Sequence, residues 1–357
     1  MNRLIIAGSE DNQDMYYATG FLALDPFIFI AKGKSQFIAV NRLEYARAKR
    51  QVKKGISVLR LENYKNPKCR GLSRIAVVML KEMKIKEVFV PYDLPWKWGK
   101  TISRSGIRLS SQKPFFKKRE VKSTHEIKLI KNVQRATEDA MKTAINMVKT
   151  SRPRGGYLYY RSKRLTSEML KLEIRMALSR HGCIDQNTIV SNGGHSALPH
   201  HSGQGPIRAG SPVVIDIFPR SETNRYFSDM TRTVCKGKPA EEIKKFYSLV
   251  KKAQLIAMKT IRPGIKASSV HKAVVDFFTK YGVEKYFIHG TGHGVGLDIH
   301  ESPNLGASDE RLKKGMIITV EPGLYKERIG GVRLEDIVVV TKDGCRNLTK
   351  YRKELIL

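Results

Sequence analysis

At 357 residues, 41% of them apolar, the chain is long enough to bury sizeable cores, and its length points to two domains rather than one. No apolar run approaches the roughly 20 residues that span a bilayer, and MNRLIIAGSEDNQ has too short an apolar segment and too early an acidic pair for a signal peptide, so a cytoplasmic protein with no membrane partner is expected. Sixty-six Lys and Arg against 33 Asp and Glu give a net charge of +33, which attracts polyanions by summed potential but is silent on fold.

In chain order, the first part alternates apolar runs with helical patterns. LIIAG, FIFIA, FIAV, SVLRL and EVFVP read as strands, and LEYARAKRQVKK and LSRIAVVMLKEMK as helices, the alternation of an α/β layer domain. After KPFFKKREVK the pattern changes to one long helix. Ser123 and Glu126 form a capping box, and Ile127, Ile130, Val133, Ala136, Ala140 and Ala144 recur at helical spacing until SRPRGG ends the run. The domain boundary is therefore expected near residue 120, giving domains 1–120 and 121–357. In the second part, the helices SEMLKLEIRMALSRHG, EEIKKFYSLVKKAQLIAMKTI and SSVHKAVVDFFTKYG are mixed with strands PVVIDIFP, TRTVCK, MIITVEP and GVRLEDIVVVT. Helices and strands segregate rather than alternate strictly, so the class is α+β. No internal repeat is visible in the sequence.

Cys69, Cys183, Cys235 and Cys345 are far apart, with no C-x-x-C pair, and read as reduced, small, buried apolar residues. The basic clusters KKREVKS (117–123) and SRPRGGYLYYRSKR (151–164) read either as solvated faces or as polyanion contacts; tyrosines interleave with the arginines of the second.

Several acids stand where acids are costly. Asp216 interrupts the apolar run 213–217, where an ionised carboxylate costs several kcal/mol unless it is paired or bound to a metal. Asp229 precedes the next strand, so a hairpin brings the two carboxylates together, and each raises the other's pKa unless a cation intervenes. Glu321 closes the strand ITVE. Arg333 and Glu335 share one face of GVRLEDIVVV by the two-residue period, with Leu334 and Asp336 on the other. Any one of these acids reads equally well as a turn or salt-bridge residue. Together with one histidine, they form a hard-donor set suited to two divalent metals bridged by carboxylates.

The stretch HGTGHGVGLDIHESP (289–303) adds three histidines among four glycines. It fails the dinucleotide fingerprint, because Val295 or Leu297 stands at the third-glycine position, and no H-E-x-x-H helix is present. The glycines are expected to adopt positive φ and so bring His289, His293 and His300 to one pocket.

With these motifs in order, SALPHH, VVIDIF…YFSDMTRTV, HGTGHGVGLDIHE, TVEPGLY and GGVRLEDIVVVT, the chain resembles the pita-bread metallopeptidases of the aminopeptidase P and prolidase branch. DMYYATGF and EYARAKRQ resemble that branch's creatinase-type N-terminal domain, so the resemblance covers nearly the whole chain. It implies a pita-bread catalytic domain behind a smaller α/β domain, a homodimer, and hydrolysis of Xaa-Pro bonds in peptides.

By position, the resemblance makes Asp216, Asp229, His293, Glu321 and Glu335 the five ligands of a dinuclear centre. It gives His200 and His300 contact with the substrate and the tetrahedral intermediate, puts His289 beside the leaving proline, and matches Arg333 to an arginine of proline-specific members. The metals would lower the pKa of a shared bridging water and polarise the scissile carbonyl, with Glu321 as proton shuttle. Oxygen-rich ligation favours manganese, with cobalt or zinc as alternatives. The segment between the aspartates, IFPRSETNRYFS, is two residues longer than the family's common form, and Phe218 stands where glycine is usual. The rival readings are a non-catalytic pita-bread module binding nucleic acid or ribosome, and a creatinase-like C–N hydrolase, whose chemistry does not require the five ligands.

Overall fold

Two units divide the chain, Met1–Arg119 and Glu120–Leu357, in a computed structural model that describes residues 1–64, 71–306 and 308–357. The first unit carries strands β1 (Arg3–Ala7), β2 (Phe27–Lys32), β3 (Ser35–Val40), β4 (Ile56–Arg60), β5 (Glu87–Val90) and β6 (Arg108–Ser111), ordered β4-β3-β2-β1-β5-β6. The β1–β2 and β2–β3 pairs are antiparallel and the remaining pairs parallel. Near-continuous apolar runs in β1 and β2 follow from burial on both faces. Leu4, Ile6, Ile28 and Ile30 enter one core cluster, and the alternate residues Ile5, Phe27 and Phe29 enter another. Four helices accompany the sheet, α1 (Gln13–Thr19), α2 (Arg42–Gln51), α3 (Leu72–Glu82) and α4 (Trp96–Ser103). The sequence reading missed α1, α4 and β6: the helices are of seven and eight residues, and RLSS in β6 is a short edge strand without an apolar signal.

The second unit opens with α5 (Thr124–Thr150), capped by the expected box: Glu126 N–H donates to Ser123 Oγ at 3.3 Å, and Ser123 N–H to Glu126 Oε2 at 2.8 Å. Then come β7 (Arg152–Arg154), β8 (Tyr157–Tyr160), β9 (Lys163–Arg164) and α6 (Ser167–Ser179). β10 (Cys183–Ile184) pairs with β13 (Arg220–Ser221), and β11 (Ile189–Asn192), β12 (Val213–Ile217) and β14 (Met230–Val234) form a sheet ordered β11-β12-β14. Helices α5 and α6 share a core with β12 and β14 through Ala140, Ala144, Ile174, Val213, Ile215 and Val234.

A similar layer follows. Helices α7 (Glu241–Thr260) and α8 (Ala267–Lys280) precede β15 (His293–Gly294), β16 (Glu301–Asn304), β17 (Ile317–Val320), β18 (Gly323–Lys326), β19 (Gly330–Arg333), β20 (Asp336–Val340) and β21 (Cys345–Asn347). β16-β15-β17-β20-β21 form one sheet and β18-β19 a two-stranded ribbon, packed on α7 and α8 through Phe246, Val250, Val270, Ile318, Val332 and Val338. Two helices on a sheet thus occur twice, an arrangement invisible as sequence repetition.

Four expectations are corrected here. GVRLEDIVVVT is two strands rather than one: β19 pairs with β18, β20 with β17, and the chain between them leaves the ladder so that Glu335 N–H reaches Thr231 C=O at 3.1 Å. Cys183 and Cys235 are buried, with burial pushing both thiols up to about 11, but Cys345 is only half-buried; Cys69 lies outside the described residues. In the basic cluster 117–123, Lys122 is neither a solvated nor a polyanion-facing residue, being 5% exposed and engaged with Glu301 at 2.8 Å. Finally, of the glycines of 289–303 only Gly292 adopts the expected positive φ, at 159°, whereas Gly290, Gly294 and Gly296 do not. What they supply is space. A Cβ on Gly292 would fall 2.2 Å from Thr319 C=O, and one on Gly294 2.4 Å from Ser302 C=O.

Candidate metal centre

The antiparallel register sets Asp216 opposite Thr231, so Asp216, Thr231 and Asp229 lie on one face of the β12–β14 pair, with the two aspartates diagonal neighbours rather than directly opposed. Glu335 meets the same face where β14 abuts the β19–β20 junction: Thr231 Oγ1 donates to Glu335 Oε2 at 2.7 Å. His293 and Glu321 arrive from the other layer, at the start of β15 and just after β17. Thr319 Oγ1 accepts from His293 N–H at 2.9 Å and donates to Glu321 Oε1 at 3.0 Å.

Asp229, His293 and Glu335 each offer a ligand atom within 4.8 Å of the others, the one such group of three found among the described residues. Asp216 and Glu321 lie beside this triad but are engaged elsewhere: Asp216 Oδ2 accepts from Arg333 Nη2 at 2.6 Å, and Glu321 Oε1 lies 3.2 Å from His293 Nε2. Arg333 also donates to Thr231 Oγ1 (3.1 Å), the Tyr325 hydroxyl (2.9 Å) and Pro199 C=O (3.4 Å), a full fork for a 4% exposed side chain.

The site's electrostatics call for a cation. Burial raises the Asp229 carboxyl well above its usual range, and the Glu335, Asp216 and Glu321 charges raise it further. Burial does the same to Glu335, with Glu321 and Asp216 adding to it. Asp216 is raised by burial against the opposing pull of Arg333. One oxygen of each, Asp216 Oδ1, Asp229 Oδ1 and Glu335 Oε1, is buried without a hydrogen-bond partner. A buried carboxylate oxygen left unpartnered is costly, and a hard divalent ion satisfies several such oxygens at once. Burial would raise Glu321 and lower His293, but their mutual hydrogen bond wins, holding Glu321 at about 2 and the imidazole above its ordinary value. His293 Nδ1 lies 3.1 Å from Gly294 C=O, which can only accept, so Nδ1 carries a proton; once the Nε2 proton shared with Glu321 is given up, the ring is left with Nε2 toward the carboxylates, the tautomer a metal ligand needs.

The other histidines gather around this cluster. The His300 ring lies 4.2 Å from that of His293, centroid to centroid, and the charge of His200 is felt at both His289 and His300. His289 Nδ1 faces Gly290 C=O at 2.8 Å and so donates, leaving Nε2 to accept from the Tyr325 hydroxyl at 2.9 Å. Burial keeps this imidazole below its usual pKa, and Phe287 packs edge-on at 5.3 Å.

Sequence reading overlooked several supports. Tyr325 stands in the quoted TVEPGLY, and Thr231 shares the face of Asp229 by the two-residue period, so a signal was available for both. For Lys122 and Glu301 no signal exists. Glu301 Oε2 accepts from Lys122 Nζ, and its Oε1 from the N–H groups of Leu297 and Asp298 at 2.9 and 3.2 Å, tying down the loop that carries His300.

Carboxylates and a histidine converging from two layers form a group that could hold a metal ion, and the chain belongs to metallopeptidase family M24, whose profile matches residues 128–342. It is 32% identical over 362 residues to the Xaa-Pro dipeptidase of Pyrococcus horikoshii, covering 97% of this chain and 92% of that one. It is similar to the solved prolidase from Pyrococcus furiosus (TM-score 0.83, 27% identity, 99% of this chain and 97% of that chain). A second structural relative is the Xaa-Pro dipeptidase from Bacillus anthracis (TM-score 0.87, 26% identity, 100% and 95%). The protein is a metallopeptidase of the pita-bread fold, and its family implies a divalent metal. No helix of the described residues is long and apolar enough to cross a membrane.

Proposed function

We propose that this metallopeptidase hydrolyses the peptide bond before proline, as an Xaa-Pro dipeptidase or aminopeptidase, with two divalent ions, manganese foremost, held by Asp216, Asp229, His293, Glu321 and Glu335. The observation that carries this reading is the set of three orphaned, buried carboxylate oxygens beside a histidine whose tautomer is fixed for ligation. Bound there, divalent metal supplies Lewis-acid polarisation of the scissile carbonyl and a nucleophilic water near neutral pH.

The remaining work falls to side chains. Arg333 places one fixed positive charge among the carboxylates and orients Asp216. His200 and His300 donate hydrogen bonds to the negative charge that develops on the carbonyl oxygen. Glu321, on the rim of the acid cluster, carries a proton to the leaving proline nitrogen. His289, clamped between Gly290 C=O and Tyr325 and backed by Phe287, forms a flat wall against which a proline ring packs. The names of the similar proteins, Xaa-Pro dipeptidase and prolidase, support the choice of bond. A non-catalytic module has no use for unsatisfied buried acids, which argues against that alternative.

The deciding experiment is a panel of Xaa-Pro dipeptides, Xaa-Pro-Yaa peptides and matched Xaa-Ala controls, assayed with manganese added back to metal-free protein. Preference for Xaa-Pro supports the reading. Equal or faster cleavage of the Xaa-Ala peptides overturns it.

A further inference from the structure

The segment SRPRGGYLYYRSKR folds into a small three-stranded antiparallel sheet, β7-β8-β9. Its two turns are two-residue loops with both residues at positive φ, Gly155 and Gly156 (55° and 77°) and Arg161 and Ser162 (46° and 65°), the geometry of tight hairpins. Leu158 is fully buried in the core with Leu165 and Ile207, so its neighbours Tyr157 and Tyr159 point to the opposite, solvent face.

The register arranges that outer face. Tyr159 is paired with Arg152 on one side and Arg164 on the other; Tyr157 is paired with Arg154 on one side and bridged to Arg208 on the other. Directly opposed residues share a face, so the surface reads Arg-Tyr-Arg over Arg-Tyr-Arg, strands roughly 4.8 Å apart and rungs roughly 6.8 Å apart. Guanidiniums lie against the rings, Arg164 at 4.6 Å and Arg208 at 5.3 Å from the Tyr157 centroid, and Arg154 at 5.9 Å from Tyr159. All four arginines are exposed. Neither 151–166 nor 205–211 contains an Asp or Glu.

We propose that this face binds single-stranded nucleic acid, with tyrosines and guanidinium planes stacking on unpaired bases and the arginines neutralising phosphates. Charge alone would serve any polyanion. Aromatic rings at alternate positions of a rigid sheet, each flanked by planar cations, add a surface that only exposed bases use fully. Acidic protein and sulfated glycan lack such bases, and a duplex hides its bases in the stack. Two tight turns hold the array in place before binding, which lowers the ordering cost.

The test measures anisotropy of a fluorescein-labelled 12-nucleotide oligouridine on the full-length, manganese-loaded protein, beside a 12-base-pair duplex and a heparin fragment. Replacing both rings (Tyr157→Leu with Tyr159→Leu) should weaken oligouridine binding at least about fivefold, the loss expected for one stacked base, and heparin binding less than twofold. Tyr157→Phe with Tyr159→Phe should bind like the parent, and its parent-like binding keeps the test decisive if the leucine variant misfolds. Arg152, Arg154, Arg164 and Arg208→Gln should lose at least about ten times more affinity than a control removing equal charge from the exposed face of α7, Lys245, Lys251, Lys252 and Lys259→Gln. Peptide hydrolysis should be unchanged in every variant, which shows that each is folded. Tighter binding of heparin or duplex than of oligouridine, no effect of the leucine pair, or equal loss in the two four-charge variants would overturn the proposal. It stands apart from the peptidase reading.

Discussion

Replacing Arg333 by Met removes a buried guanidinium from a cluster of four carboxylates, Asp216, Asp229, Glu321 and Glu335. The guanidinium makes four side-chain hydrogen bonds, to Thr231, Tyr325, Pro199 and Asp216. Asp216 Oδ1 already lacks a partner, so losing Arg333 takes the hydrogen-bonded cation from a carboxylate that is only 8% exposed. Breaking such a buried pair from one side costs about 3–5 kcal/mol. For a unit of this size that corresponds to a fall of roughly 6–20 °C in Tm. The penalty belongs to the chelator-stripped protein. With metal at a hundred times the parent's Kd, binding contributes about 2.7 kcal/mol to the parent; at the same metal concentration the variant gains more, because a positive charge no longer repels the ion. The gap between parent and variant should therefore narrow when metal is added. Arg333→Lys should fall between the two, keeping the charge but losing the fork. Thermal and urea unfolding of all three proteins, stripped and manganese-loaded, measure the effect. A stripped Met variant within about 1 kcal/mol of the parent, or a gap that metal widens, would refute the account of Arg333 as the internal counter-ion.

Asp229→Asn should lower the manganese bound per chain and remove the thermal stabilisation that manganese gives the parent, read by metal analysis and melting in parallel; unchanged metal content would remove Asp229 from the ligand set. His200→Ala and His300→Ala should each keep metal but lower kcat about a hundredfold or more, on the order of 3 kcal/mol for one donor to the intermediate; near-normal turnover in both would show that neither serves the intermediate. Gly292→Ala places a Cβ 2.2 Å from Thr319 C=O, so it should weaken metal binding by displacing His293 although it changes no ligand; a variant with parent metal affinity contradicts this. Lys122→Met takes the ammonium from the Glu301 carboxylate, 7% exposed at its side chain, and should reduce kcat more than metal content by loosening the loop of His300, as steady-state kinetics with metal analysis would reveal; equal losses of both would place the effect at the metal instead.

Local chemistry made much of this protein legible from its residues in order. The box at Ser123 and Glu126 begins a helix because it satisfies orphan N–H groups within one turn, and Asp216 in β12 stands out because an apolar strand has no local use for an acid. The period of two also placed Arg333 and Glu335 on one side. Both reach Thr231, while Asp336 turns to Arg232 at 2.8 Å on the other. Only the tertiary structure decided how these faces meet. The bond between Thr231 and Glu335 spans 104 positions, that between Arg333 and Asp216 117, and that between Lys122 and Glu301 179. No periodicity encodes such separations. The break between β19 and β20 has the same origin: residues 331–341 carry a continuous strand pattern, but their partners are two different strands, and a strand must leave one ladder to join another. A sequence pattern states which face of an element seeks burial; which other face it meets is settled by packing the two layers together, where charge, volume and hydrogen bonds from distant segments must be satisfied at once.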